Sequence, residues 1–98
     1  MQEPGLDRHE WETELESLRE GFEDAPAQAL PDLADLVQRM LEERGLEERG
    51  DPEILATYRA ARETADRCEA GVETGAGDVG QAVENLLAVY EYVSAERP

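Results

Sequence analysis

Apolar residues recur every three or four positions in four separate stretches of this chain, which is the spacing of one face of a helix. In the first stretch they are Trp11, Leu15, Leu18 and Phe22, at intervals of four, three and four. No stretch alternates strictly between apolar and polar residues, as a half-buried strand would. The pattern predicts an all-α fold without a sheet, an antiparallel four-helix bundle with helices at about 8–24, 31–44, 52–70 and 79–96.

Residues with known preferences for helix ends flank these stretches. Pro26 is expected to close the first helix, and Pro31 to lie in the first turn of the second. Asp51 followed by Pro52 predicts an N-cap and a first helical position for the third helix. Two capping boxes, in which paired side chains satisfy backbone N–H groups, are predicted at the starts of the first and last helices: Asp7 with Glu10, and Asp78 with Gln81.

Glycines and short connections complete the predicted bundle. Gly45 is expected to end the second helix, with Leu46 contacting Leu41, and Gly71 to end the third. The connections, of about six to eight residues, suit antiparallel neighbours. The last helix is the most apolar and is expected to be the most buried. Its apolar face is widened by Leu87 and Val89, which predicts that this helix either lies at the centre of the bundle or forms a self-association seam, and a homodimer is the hypothesis for the second case.

Composition adds a strong negative charge to this picture. Residues 1–98 are expected to form a single acidic domain with a flexible N-terminus at 1–6. Nine arginines and no lysine stand against twenty-five Asp and Glu, a formal net charge of −16. Such a surface repels phosphates, so direct nucleic-acid binding and attachment to anionic membranes are not expected. Salt-adapted hosts carry acidic surfaces as a general trait, so charge alone does not establish a function.

The expected compartment is the cytoplasm. A single cysteine cannot form an intrachain disulfide, so nothing indicates an oxidising environment. The first residues lack the basic and apolar regions of a signal peptide, and no apolar run is long enough to span a bilayer.

The chain offers few residues for catalysis or metal binding. His9 is the only histidine and Cys68 the only cysteine, too few nitrogen and sulfur ligands for a zinc site or a di-iron bundle site. Cys68 continues the apolar stripe of the third helix, so an inert buried thiol is expected. Residues 75–80 match the dinucleotide pattern G-x-G-x-x-G, but a predicted helix precedes them instead of the strand that this motif requires. We therefore expect no enzyme activity, cofactor or metal.

The acidic residues of the first helix are the one local feature that suggests a function. Glu12, Glu16 and Glu20 are spaced at i, i+4, where like charges slightly oppose helix formation. Glu23 continues the run, and these four residues are the candidate partner-binding site. The sequence predicts a small acidic helical protein-interaction or regulatory domain. The alternative is an electrostatic decoy or inhibitor, a nucleic-acid mimic or immunity-type protein, that covers a basic partner surface; an ordinary solvated face explains the same run without any partner.

Overall fold

The computed structural model of this protein describes the backbone of residues 4–46 and 50–95, and side chains from residue 9 onward within those ranges. Within them the regular elements are α-helices, with no strand, so the predicted all-α fold is confirmed. The four helices are α1 Pro4–Asp24, α2 Pro26–Glu43, α3 Pro52–Glu69 and α4 Ala76–Ala95.

The most buried of these helices is α2, which lies at the centre of the molecule. It packs against each of the other three, whereas α4 packs mainly against α2 and α3. Eight residues of α2 are buried, compared with six of α4. The expectation that the last helix would be the most buried is therefore wrong. Burial depends on the number of neighbours that cover a helix, and the apolar residues of α2 occupy a broad sector: Ala29, Leu30, Leu33, Ala34, Leu36, Val37, Met40 and Leu41.

On one side of the central helix lies α1, whose extensive contacts are with α2. Trp11, near the start of α1, donates a hydrogen bond to Glu43 at the end of α2. Near the end of α1, a Cβ added to Gly21 would approach the Cβ of Ala29 to 3.3 Å. The two helices therefore run in opposite directions. Trp11 and Leu15 join the common core, and Leu18 and Phe22 pack against it.

On the other side of the central helix, α3 and α4 pack against each other and against α2. The Tyr58 hydroxyl donates to Gln38 at 3.2 Å, and Arg62 donates to Asp35 at 2.8 Å. The later residue of α3 thus contacts the earlier residue of α2, so these two helices also run in opposite directions. Ala61 and Ala65 are the buried residues of α3, and their small side chains allow a close helix approach.

Two helices begin earlier than predicted because prolines nearer the N-terminus start them. The first helix begins at Pro4, which places Asp7 inside it instead of at its N-cap. A capping box at Asp7 also predicts a hydrophobic contact between Leu6 and Trp11, but the Leu6 side chain lies outside the described residues. The second helix begins at Pro26, so its connection to α1 is the single residue Ala25, far shorter than the predicted loop.

The one-residue connection follows from the chemistry of proline. Ala25 donates to the Gly21 carbonyl at 2.7 Å, and its own carbonyl accepts from Ala29 at 3.1 Å. Its φ and ψ of −149° and 75° are non-helical, as expected for a residue that precedes proline. Pro31 lies inside α2 and not at its start. It cannot donate to the Ala27 carbonyl, but Ala27 is exposed, where water can satisfy that group.

The start of α3 was predicted correctly, whereas the start of α4 was not. Asp51 is the N-cap of α3, and its side chain accepts from the Glu53 amide at 2.8 Å. In α4 the Gly75 carbonyl accepts the first helical bond, from Val79, so the helix begins at Ala76. Asp78 therefore lies in the first turn and not at the cap, where its charge still favours the helix dipole. Its predicted capping partner is turned away, since the Gln81 amide donates to Asn85.

Both predicted terminal glycines end their helices in the left-handed conformation. Gly45 has φ of 67°, and the buried Leu46 beyond it belongs to the same core cluster as Leu41. Gly71 has φ of 80°, with its amide bonded to the Cys68 carbonyl and that of Val72 to Arg67. These are the paired bonds of a Schellman motif. The pentapeptide Leu-Glu-Glu-Arg-Gly occurs at 41–45 and again at 46–50, and residues 47–49 of the second copy lie outside the described residues.

Candidate interaction surface on the first helix

A row of acidic side chains forms the outer face of α1, opposite its buried stripe. Glu12, Glu16 and Glu20 are exposed and line one shallow depression together with His9. Glu23, also exposed, follows three positions after Glu20, which keeps it on the same side of the helix. We call Glu12, Glu16, Glu20 and Glu23 the acidic row. The structure thus brings together on one face the four residues that the sequence singled out.

Among the described residues, no ion pair neutralises the acidic row. The ion pairs found there join Arg39 to Glu14, and Arg62 to Asp35 and Asp66. All three pairs lie on the α1–α2–α3 side of the molecule and none includes a member of the row. Within the part of the chain whose side chains are described, the row therefore presents its carboxylates to solvent without an ion-pairing partner.

Glu14 lies on the same helix but plays a different part. Its carboxylate accepts a hydrogen bond from Arg39, which fastens α1 to α2. The pKa of Arg39 is raised above its usual value, chiefly by that hydrogen bond. The pKa of Arg62 is raised in the same way by Asp35. Because both pKa values are raised, the stability that they represent is present throughout the neutral range and is lost at strongly alkaline pH, where the arginines deprotonate.

Trp11 holds the acidic helix in place. Its side chain is 4% exposed, its indole N–H donates to the Glu43 carboxylate at 2.9 Å, and the Arg44 guanidinium lies 5.0 Å from the centre of its ring. Sequence reasoning placed Trp11 in the core but missed its two polar contacts. Both partners lie 32 or more positions away, where no local pattern connects them.

A groove runs between α1 and the central helix, beside the acidic row. Its volume is about 580 Å³. It shares Thr13 and Ser17 with the depression beneath the row, so the groove and the row form one continuous surface. No local pattern in the sequence indicates this groove, since its walls come from two helices whose pairing the sequence does not specify. Its lining residues are Thr13, Glu14, Ser17, Leu18, Asp32, Asp35 and Arg39.

The other residues weighed for chemistry are scattered. His9 is exposed at the edge of the acidic row, and the described residues contain no group of three His, Cys, Asp or Glu side chains placed to hold a metal. Cys68 is half-buried, not buried as predicted, because it lies at the rim where the last turn of α3 meets the first turns of α2. Its Sγ lies 3.8 Å from the Thr74 hydroxyl. Residues 75–80 follow α3 and open α4, so a helix precedes the glycine pattern.

The predicted self-association seam on α4 has less free apolar surface than its sequence suggested. Val89 is 0% exposed, and Leu87 is half-buried against the core of its own chain. The large apolar side chains that the structure describes as exposed are Tyr92, at 37%, and Val72, at 54%. Tyr92 lies in the last turns of α4 and Val72 just beyond α3, so they do not adjoin along one helix.

Comparison of the chain with protein-family models, curated proteins and solved structures found no match. Among the helices that the structure describes, none is both long and apolar enough to cross a membrane.

Proposed function

We propose that this protein is a small non-catalytic interaction domain whose acidic row binds a basic surface of another protein. The observation that carries the proposal is the exposure of Glu12, Glu16 and Glu20 on one face of a helix that is anchored through its opposite face. Because α1 has its extensive contacts with α2, the outer side of α1 is open to a partner.

The energetics of the row support a binding role. Glutamates at i, i+4 repel each other by about 0.2–0.5 kcal/mol per pair in an exposed helix. A partner that brings arginine or lysine to the row would relieve that repulsion and add charge-assisted hydrogen bonds. Such contacts speed association and weaken as salt screens them.

The alternative function, an electrostatic inhibitor that imitates a nucleic acid, draws on the same row but fits it less well. Glu12, Glu16 and Glu20 follow each other at about 6 Å along the helix axis, since each step is four residues. Phosphates along one DNA strand follow at about 3.4 Å. The other acidic residues of α1, which would be needed to reduce this spacing to that of the phosphates, lie on other sides of the helix, as Glu14 does against Arg39. We therefore favour recognition of a basic protein surface over imitation of a phosphate backbone.

A homodimer through α4 remains a separate proposal. Its available surface is Tyr92, with the half-buried Val83 and Leu87 on the same helix. Sedimentation equilibrium at micromolar concentration tests it. A mass near twice 10.9 kDa would support the dimer, and a mass near 10.9 kDa would rule it out. The proposed setting of either interaction is the cytoplasm, which fits a chain with one unpaired cysteine.

Capture of partners from the native host tests the interaction proposal. The wild-type chain would be compared with a row variant, Glu12→Gln, Glu16→Gln and Glu20→Gln. A control variant, with Glu63, Glu84 and Glu91 changed to Gln, removes the same charge from exposed sites on α3 and α4. A basic protein enriched at low salt by the wild-type and control chains, but not by the row variant, is the expected result. Equal capture by all three would contradict a role for the row.

A further inference from the structure

We infer that the groove between α1 and α2 receives a basic amphipathic α-helix of the protein partner. This inference rests on the proposed function and deepens it, because the groove adjoins the acidic row through Thr13 and Ser17. The row would contact the cationic flank of the incoming helix, and the groove would hold its narrow apolar edge.

The groove and the hollow that continues it are lined along residues 13–25, about three turns at about 1.5 Å per residue. A second hollow of about 350 Å³ shares Ser17, Leu18 and Asp32 with the groove and extends it to Gly21 and Ala25. The surface therefore follows the α1–α2 hairpin from its joint toward Arg39. Ridges of two adjacent helices with a furrow between them match the shape of a third helix better than that of an extended strand.

The α1 wall of the groove is low. Thr13, Ser17 and Gly21 repeat at intervals of four, so small side chains line this wall for two turns. The Thr13 hydroxyl donates to the His9 carbonyl at 2.9 Å and the Ser17 hydroxyl to the Thr13 carbonyl at 3.2 Å. Both hydroxyls have hydrogen bonds within α1, so an apolar surface laid over them leaves no donor unsatisfied. Leu18 gives the floor an apolar contact point.

The opposite wall supplies the charge that selects a basic helix. Asp32 and Asp35, from α2, line the groove, and both are exposed. Two guanidinium groups already bind carboxylates at this surface: Arg39 pairs with Glu14 at the groove, and Arg62 pairs with Asp35 beside it. Among the described residues, no hydrogen bond or ion pair engages the Asp32 carboxylate, which leaves it to receive an arginine from the partner. Carboxylate geometry favours arginine through paired hydrogen bonds.

Two synthetic peptides of equal charge test the inference on the full chain. One is an 18-residue helix with arginine at i, i+4 positions and a leucine stripe, and the other is an extended Arg-Gly-Pro peptide. Titration into the ¹⁵N-labelled protein would be followed by NMR. The helical peptide is expected to bind about tenfold more tightly and to shift the amides of Thr13, Ser17, Leu18 and Asp32. Equal affinities, or shifts confined to residues outside the groove, would overturn the inference.

Ser17→Gln supplies a variant that blocks the groove without touching the core. Ser17 is exposed and glutamine is a good helix former, so the fold should be retained. The affinity for the helical peptide should fall about fivefold. The control variant Ala88→Gln, at an exposed site of α4, should leave the affinity unchanged. An unaltered affinity in Ser17→Gln would refute the groove as the site.

The row variant separates failure of this inference from failure of the proposed function. If the row variant loses both peptides while Ser17→Gln binds them normally, the acidic row is the site and the groove is not. If neither peptide binds the wild-type chain at low salt, the proposed function fails, and the inference fails with it.

Discussion

The indole N–H of Trp11 donates a 2.9 Å hydrogen bond to the carboxylate of Glu43, across 32 positions of sequence. The bond joins the start of the acidic helix to the end of the central one. Arg44 lies 5.0 Å from the centre of the same ring. The residue that anchors α1 thus places its apolar body in the core and its one polar group on an acidic side chain at the surface. This anchor fixes the acidic row on the opposite face.

Replacing Trp11 by phenylalanine should destabilise the fold by about 2 kcal/mol. The change removes a hydrogen bond to a charged acceptor and weakens the cation–π contact with Arg44, besides trimming a buried ring. Urea unfolding followed by circular dichroism would measure the loss. Tyr92→Phe, at an exposed site, is the control and should change stability by less than about 0.5 kcal/mol. A Trp11→Phe chain as stable as the control would show that the anchor is unimportant.

The N-cap of α3 should contribute about 1 kcal/mol. Asp51 accepts from the Glu53 amide, so Asp51→Ala removes the partner of that backbone group. Asp51→Asn keeps a side-chain oxygen and should retain most of the stability. Thermal unfolding of the three chains measures the difference. Equal melting temperatures for the alanine and asparagine variants would contradict the capping role.

Gly21 and Gly80 provide a matched test of the α1–α2 contact. Valine at Gly21 would press against Ala29, because even a Cβ there would come within 3.3 Å of the Ala29 Cβ. The expected cost is about 1–3 kcal/mol. A Cβ at Gly80, in α4, would meet no atom within 4 Å, so Gly80→Val should be neutral or slightly stabilising. The description of the hairpin would be refuted if both variants lost similar stability.

The sequence predicted most of the fold where local chemistry decides it. The spacing of apolar residues located all four helices, and Asp51, Gly45 and Gly71 marked ends that the structure retains, since caps and left-handed turns depend on neighbouring residues only. Pro26 was recognised as a helix end but not as the start of the next helix. A proline can follow the end of one helix and also occupy the first turn of the next. Only the packing of Gly21 against Ala29 shows how tightly the chain turns between them.

The site was predictable only in its local part. Residues of the acidic row share a face of one helix, so their juxtaposition followed from helical spacing. The groove requires knowing that α1 lies along α2, and the pairing of Glu14 with Arg39 depends on that arrangement. Likewise, the half-exposed position of Cys68 depends on where the last turn of α3 meets α2, which periodicity within α3 does not specify.

Salt should act on folding and on binding with opposite signs. The net charge of −16 repels itself in the folded chain, and raising NaCl from 20 to 500 mM screens that repulsion. The melting temperature should therefore rise, by about 4–8 °C per 1 kcal/mol gained. Affinity for the basic partner should fall over the same range. Scanning calorimetry of the chain alone measures the melting temperature, and titration calorimetry with the partner measures the affinity. A fall in melting temperature with salt would contradict the electrostatic account.

The most direct test of the proposed function is the dissociation constant of the captured basic partner, measured by titration calorimetry at low salt for three chains. The wild-type chain and the control with Glu63, Glu84 and Glu91 changed to Gln should bind with similar affinity. The row variant, with Glu12, Glu16 and Glu20 changed to Gln, should bind about tenfold or more weakly, since three charge contacts are lost. Equal weakening in the row and control variants would mean that the partner responds to net charge alone, and the acidic row would not be its binding site.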